Sequence, residues 1–447
     1  MQSPGRAGMN LSRLTFQIPS LIIYLAFSVA PSSAQLSGLD RERAQTILDG
    51  VASDIRKEYY DPKFHGIDWD GKVAEAKAGI EKANSWNAAM IEIAVLIDYL
   101  NDSHTAFFPP SPQVRTDYGW QFKVIGVHRY VTQVPPHSDA EAKGVKPGDQ
   151  VLTLDQIRPT RESLPKIDYA IHGLSPQKSL QVSLKEGTGS ARPVDIAARI
   201  VLPRKLSELD HPFGVDWQFY QRGWWSYGHL ARLRFGKLGS DAIIVKVPVF
   251  EFSDSDGEKI AVSARNHKTL ILDLRDNPGG DVENLRHLLG SMFDHEVKIA
   301  DKVTRHKTTP LKTKSSHHGF GGKLIVLVDS GSSSAAELFA RTIQIEKRGF
   351  VLGDRTSGLV MESKYHPGTT GLPPLYYLTQ ITEANLIMTD GKSLEHIGVT
   401  PDESVLPTPE DLAAGRDPAL ARAAELAGVK LTPEVAGKMF PYEWPTD

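Results

Sequence analysis

A chain of 447 residues with 40% hydrophobic and 23% charged residues has material for two or three packed domains and the composition of an ordinary globular protein. A formal net charge of −3, without a Lys/Arg tract, argues against a nucleic-acid partner. The complete absence of cysteine excludes disulfide scaffolds, thiolate nucleophiles, haem attachment, cysteine zinc sites and a lipidated N-terminal cysteine.

At the N-terminus, Arg6 and Arg13 precede the apolar run 21–30, and Ser32, Ser33 and Ala34 supply small residues at a cleavage point. This is the tripartite plan of a secretory signal over residues 1–34, and it predicts an exported protein, periplasmic or secreted. The apolar run is short for a membrane span, and an uncleaved anchor is the alternative. Loss of 1–34 takes two positive charges from −3 and leaves a chain near −5. Residues 36–112 then read as a helical cap, with apolar residues at helical spacing in RAQTILDGVASDIRKEYY and MIEIAVLIDYL. The break between them, DPKFHGIDWDG, contains Gly66-x4-Gly71-Lys72, a formal approach to a phosphate loop. Val73 stands where Ser or Thr is needed and no strand precedes it, so the match is rejected.

Residues 118–201 change character to short β-rich runs punctuated by Pro and Gly. AEAKGVKPGDQVLTLD reads as a short helix, a turn and a strand; SLQVSLKEG and RPVDIAARIV read as a closing hairpin. Residues 202–225 read as a connector. From about 226 to 410, buried strands alternate with helices: AIIVKVPVF, KTLILDLR, DVENLRHLLGSMF, KLIVLVD, AAELFARTIQIEK and RGFVLGD. That order predicts a multidomain α/β protein whose core is layered on a largely parallel sheet. Residues 411–447 read as a helical tail packed on the outside.

In a parallel α/β sheet, ligands gather beyond the carboxyl ends of the strands. One strand ends in Asp276-Asn277-Pro278-Gly279-Gly280, where paired glycines let backbone N–H groups approach a ligand; a plain tight turn is the alternative. Another ends at Asp329 and passes through Ser332, Ser333 and Ser334 into a helix starting Ala335-Ala336-Glu337. A serine at a strand-to-helix junction exposes its hydroxyl beside unpaired helix N–H groups, the logic of a nucleophile elbow, although helix capping alone explains a serine there. A serine nucleophile needs a base. Among 15 histidines, His104 in LNDSHTAFFPP sits in a polar knot, and Glu395 in LEHIGVTPD could orient it. His-Glu-x-x-His is absent and His317-His318 reads as a polar loop, so neither a metal nor a cofactor is predicted.

Taken in order, LNDSHTAF, AKGVKPGDQVLTLD, LDLRDNPGG, SSSAAELFA and LEHIGVTPD resemble the serine peptidases that include the tail-specific (C-terminal processing) and tricorn-type proteases. The resemblance covers nearly all the chain after the signal. It implies a PDZ-like domain at 118–201 and a serine peptidase core at 226–410 of the crotonase/ClpP-like kind. It implies Ser334 as nucleophile and an oxyanion hole from the N–H of Ala335 with that of Gly279 or Gly280. Tail-specific members use a lysine base, but Leu359 falls at that position in GDRTSGLVMES; Lys364 lies outside it. The tricorn-type arrangement, a Ser-His pair plus a closing glutamate, matches Ser103, His104 and Glu395, with His104 as general base. The resemblance further implies protein or peptide substrates, bound by strand addition near Tyr118, Gly119, Trp120, Gln121 and Phe122. A catalytically silent PDZ-containing peptide-binding protein and an esterase are the competing readings; the missing Gly-x-Ser-x-Gly counts against the esterase.

Overall fold

The computed structural model describes residues 36–110, 115–201, 232–314 and 319–444. The expected signal (1–34), the connector (202–225) and the His317-His318 pair lie outside the described residues.

The N-terminal cap is built from helices α1 (Gly38–Glu58), α2 (Trp69–Lys82) and α3 (Trp86–Asp98), followed by the short strand β1 (Ala106–Phe108). Each helix starts on a capping side chain: Ser37, Asp68 and Ser85 accept from the amides of Asp40, Gly71 and Ala88. Gly71 therefore belongs to the first turn of α2, under its Asp68 cap, and the phosphate-loop spacing has no structural counterpart. Ile47, Leu48, Val51, Ile55, Ile93 and Leu96 interdigitate in the cap's own core, joined by Tyr377 and Ile381 from much later in the chain.

The segment from 115 to 201 contains β2 (Arg115–Asp117), β3 (Gln121–Ile125), β4 (His128–Gln133), α4 (Asp139–Ala142), β5 (Gln150–Leu154), α5 (Leu164–Asp168), β6 (Ser179–Lys185), β7 (Ala191–Ala197) and β8 (Arg199–Val201). Strands β3 to β7 form one antiparallel sheet in sequence order, with β3 at its edge, and β2 pairs with β8. The hairpin expected from SLQVSLKEG and RPVDIAARIV is β6–β7, paired from Ser179↔Ala197 to Lys185↔Ala191.

The core follows as β9 (Arg234–Leu238), β10 (Ala242–Lys246), α6 (Asp254–Arg265), β11 (Thr269–Asp273), α7 (Val282–Gly290), β12 (Lys298–Thr304), β13 (Thr308–Lys312), β14 (Lys323–Val328), α8 (Ala335–Ile345), β15 (Phe350–Gly353), β16 (Met361–Thr370), β17 (Leu375–Met388) and β18 (Glu403–Ser404). One sheet has the order β18-β15-β14-β11-β10-β9; every neighbouring pair is parallel except β10–β9. Its central strands are covered on both faces, which is why LIL in β11 and LIVLV in β14 are apolar without alternation. Each such Leu, Ile or Val contributes about 1.5–3 kcal/mol on burial. One face packs under α6, α7 and α8. Beyond the short α9 (Pro409–Ala413), which buries no residue, the other is covered by Leu420, Ala423 and Ala424 of α10 (Pro418–Leu426) and Ala436 of α11 (Pro433–Ala436). The expected outer tail is thus a full layer of the core.

A second sheet runs β1-β17-β12-β13, with β16 also paired to β17. It joins the cap to the core, because β1 pairs with β17 through Ala106↔Gln380 and Phe108↔Leu378. The β module sits against the carboxyl ends of the first sheet. Asp276 after β11, Asp329 after β14 and Asp354 after β15 each bind it: Lys123 pairs with Asp276 and with Asp329 (2.9 Å), and Arg161 with Asp354 (2.9 Å).

Candidate active site

Two strand ends meet at the edge where chemistry was expected. After β11 the chain turns through Asp276 (φ 61°) to Gly279 (φ 102°) and Gly280 (φ 131°), and Asp281 caps α7. After β14 it turns through the serines into α8. The turns are knitted together: Asp276 N–H donates to Asp329 Oδ1 (2.9 Å) and Ser333 N–H to Asn277 O (2.9 Å). Buried Asn277 donates to Val247 O (2.8 Å), tying both turns to the end of β10.

The three serines have separate fates. Ser332 is fully buried; its hydroxyl donates to Leu274 O (2.8 Å) and accepts from Asp329 N–H (3.0 Å), which is a structural bridge. Ser333 is nearly buried. Ser334 stands at the mouth of α8 with φ 53° and ψ −116°, a conformation that costs a non-glycine residue about 1–3 kcal/mol. Its backbone N–H faces two acceptors, Leu359 O (3.0 Å) and Glu337 Oε2 (3.1 Å). Strain stored on this residue, and held by a carboxylate, goes beyond what a capping serine requires.

Gly279 lies directly against Ser334. A Cβ on Gly279 would come 2.7 Å from Ser334 Cβ and 3.1 Å from Ala335 N. Its N–H is already donated to Asn277 Oδ1 (2.8 Å), while its carbonyl accepts from Phe250 N–H (2.7 Å). In a trans peptide the next N–H, that of Gly280, points away from that carbonyl. Among the described residues no hydrogen bond takes up the N–H of Gly280 or of Ala335. Of the two glycines read from the sequence, Gly280 therefore has the available donor, and Gly279 supplies the clearance.

His104 lies in the loop between α3 and β1. Ser103 N–H donates to Glu395 Oε1 (2.7 Å) and Ser103 Oγ–H to Glu395 Oε2 (2.9 Å), while Ser103 Oγ is 2.7 Å from His104 Nδ1. A carboxylate only accepts, so the serine's one hydrogen goes to Glu395 and its lone pair faces Nδ1–H. That leaves Nε2 unprotonated, the form a general base needs. Burial pulls the imidazole below its ordinary value; Glu395 and Asp102 work the other way. Glu395 also accepts Val360 N–H (2.7 Å), and the preceding residue, Leu359, accepts Ser334 N–H. A single peptide unit, Leu359–Val360, thus holds Ser334 through its carbonyl and the carboxylate behind His104 through its N–H. Among the described residues no hydrogen bond yet closes between His104 and Ser334; such bonds commonly tighten only with substrate.

Lys364, the rival base, is exposed on β16 and paired with Glu383 (2.6 Å), whose hydrogen bond holds the amine above its ordinary value. It keeps its proton. Lys123 does likewise: burial would lower it, but Asp276 and Asp329 raise it. The expected peptide-binding stretch divides. The side chains of Tyr118 and Trp120 are turned into the module's core and cannot face a ligand, leaving Gly119, exposed Gln121 and half-buried Phe122 at the edge. Glu337 was not read as a site residue, although Ser334-x-x-Glu337 has capping-box spacing.

Residues 241–405, which contain Ser334, Gly279, Gly280 and Glu395, match the model of peptidase family S41. The chain carries a peptidase family S41 domain. The carboxyl-terminal-processing peptidase 3, chloroplastic, of Arabidopsis thaliana is 24% identical over 324 residues, 68% of this chain and 59% of the relative. The carboxyl-terminal-processing protease of Synechocystis sp. is 25% identical over 268 residues, 60% of this chain and 57% of the relative. This chain thus spans less than two thirds of the length of either. Among solved structures, mature CPAF superimposes with a TM-score of 0.62 at 15% identity, over 84% of this chain and 95% of that one, a likeness of fold. His104 and Ser103 lie outside the matched S41 residues, in the cap.

Proposed function

We propose that this chain is an exported serine endopeptidase in which Ser334 attacks a peptide carbonyl and His104 is the general base. The observation that carries the reading is the Glu395–Ser103–His104 hydrogen-bond chain, reaching the same two-residue segment, 359–360, that holds the nucleophile. His104 Nε2 takes the Ser334 Oγ proton as Oγ bonds to the carbonyl carbon, and the oxyanion is received by the N–H groups of Gly280 and Ala335 with the N-terminal end of α8 behind them. The imidazolium returns its proton to the departing amine; a water then repeats the sequence on the acyl-enzyme, releasing the acid and free Ser334. Ser103 and Glu395 act through the histidine.

The β module is read as a PDZ-type peptide-binding unit. Its support is the edge position of β3, on which an extended segment can add as a further strand. The apolar run behind Arg6 and Arg13 supports export.

The test is labelling of the protein by a fluorophosphonate probe, with the site mapped by mass spectrometry and peptide digestion run in parallel. Label on Ser334 that is lost in His104→Ala, together with peptide cleavage, is the expected result; an unlabelled, inactive folded protein would favour a silent peptide-binding role. Lys364→Ala should keep activity within about twofold, as for a surface ion pair; a hundredfold loss would restore the lysine as base. The depressed imidazole also sets the pH profile. Neutral His104 persists below pH 6.5, so the acid limb of kcat/KM should have its midpoint below about 6.5. The matching stability term is present above the unfolded value and is lost as pH falls through the folded one. A midpoint above 7 would contradict the burial.

A further inference from the structure

The loop carrying His104 is gripped by a second carboxylate that the mechanism above leaves unused. Asp102 Oδ1 accepts His104 N–H (2.9 Å), Thr105 N–H (2.7 Å) and the Thr382 hydroxyl (2.7 Å), while Oδ2 accepts the Thr105 hydroxyl (2.9 Å). The first two contacts are an ordinary Asx-type turn and would need no further explanation. The contact to Thr382 does, because Thr382 is fully buried on β17, 280 residues away. It is tied again to the loop by its own N–H donating to Thr105 Oγ1 (3.1 Å). On its other side Thr382 is in register with Ser363 of β16, three residues beyond Val360. A rigid two-strand unit therefore connects the Asp102 contact to the segment that binds Ser334 and Glu395. From the cap, the buried Tyr59 at the end of α1 faces Asp102; burial first, and then that carboxylate, push its phenol well above the ordinary range.

We propose that Asp102 is a positioning residue for His104, clamping the histidine's loop to β17 so that Nε2 is presented to Ser334. Two carboxylates then act on the histidine: Glu395, from the closing loop and through Ser103, and Asp102, from its own loop and through the His104 backbone N–H. His396 lies behind Glu395 at 3.6 Å, and its Nε2 donates to Asn101 O (2.9 Å), steadying the same loop from the closing segment. Asp102 has a geometric role through Thr382 and an electrostatic role as a second negative charge, after Glu395, that favours the imidazolium. The two are separable by substitution.

The inference rests on His104 being the base, so one readout is chosen that does not need activity. In the full chain carrying Ser334→Ala, the His104 ring is titrated by NMR with and without Asp102→Asn. The variant should titrate at lower pH, because an anion favouring the imidazolium is gone; Thr382→Val, which keeps the charge, should titrate as the parent. In the chain with Ser334 intact, both variants should lower kcat by roughly 10- to 100-fold, the scale of a misplaced catalytic group, with KM within about twofold. Only Asp102→Asn should shift the acid limb. An unshifted His104 titration together with unchanged kcat in both variants overturns the proposal. Equal loss in both variants with no shift in either titration also overturns it, because that is a purely structural effect. A titration shifted by Asp102→Asn, in a protein whose Ser334-intact form cuts no peptide, sustains the positioning role and removes the peptidase reading instead.

Discussion

Replacing Ser334 by alanine is expected to cut peptide hydrolysis by roughly 10⁴-fold or more, the scale seen when the nucleophile of a serine triad is removed. The argument is one of elimination among three neighbours. Ser332 has spent its hydroxyl on Leu274 O and Asp329 N–H, and Ser333 is nearly buried with its backbone tied to Asn277. Only Ser334 combines the strained φ of 53° with contact to Gly279 and to the open N–H of Ala335. Ser332→Ala should therefore retain the fluorophosphonate label while losing about 1–3 kcal/mol of stability, since its removal leaves a buried amide and a buried carbonyl without their bridge. Active-site titration beside thermal unfolding separates the two. Full activity in Ser334→Ala, or label on Ser332, would sink the assignment.

The second large effect concerns stability. Glu337 is completely buried and surrounded by donors: Gly358 N–H (2.8 Å), Leu359 N–H (3.0 Å), Ser334 N–H (3.1 Å) and the Thr356 hydroxyl (2.5 Å). Glu337→Ala leaves the amides of Gly358 and Leu359 and the Thr356 hydroxyl facing a void, with Ser334 N–H keeping only Leu359 O, and should cost about 4 kcal/mol, near the upper end for a single substitution, read from the denaturant midpoint. Activity should fall with it, because the same carboxylate holds the nucleophile's backbone against the 358–359 segment. Burial pushes the carboxyl up to about 7, with the donors pulling back. Its folded value thus lies above its unfolded one, near 4.3. The stability it contributes is full below the unfolded value and is withdrawn as pH rises through about 7. Wild type should therefore exceed Glu337→Gln most at pH 5, with the gap narrowing by pH 8. A gap that widens with pH would mean the donors, not burial, set the ionisation.

Much of this site is legible in the chain because its signals are local. Unbroken apolar runs in β11 and β14 announce a doubly covered sheet, and each ends in a polar turn rich in small residues. The Ser103-His104 pair and Glu395 are readable only through resemblance, since nothing local sets His104 apart from fourteen other histidines. The second sheet escaped notice for a physical reason. KIADKVT and MESKYHPGTT are half exposed and carry charge, proline and glycine, so neither alternation nor an apolar run survives; their pairing is set by β17, far along the chain. Lys123 reads as one more surface lysine until β3 is laid against Asp276 and Asp329. Tyr118 and Trp120 misled because aromatic residues beside a glycine suit a binding loop as well as a small core.

The bond between Ser103 and Glu395 spans 292 residues of sequence. Loop closure over that distance comes late in assembly, after the cap and the parallel sheet have formed their local contacts. A chain still being synthesised can own the serine and the histidine without owning the carboxylate that joins them. In the proposed mechanism the long separation thus works as a timer: the relay behind His104 is complete only once the segment carrying Glu395 has been made and has docked.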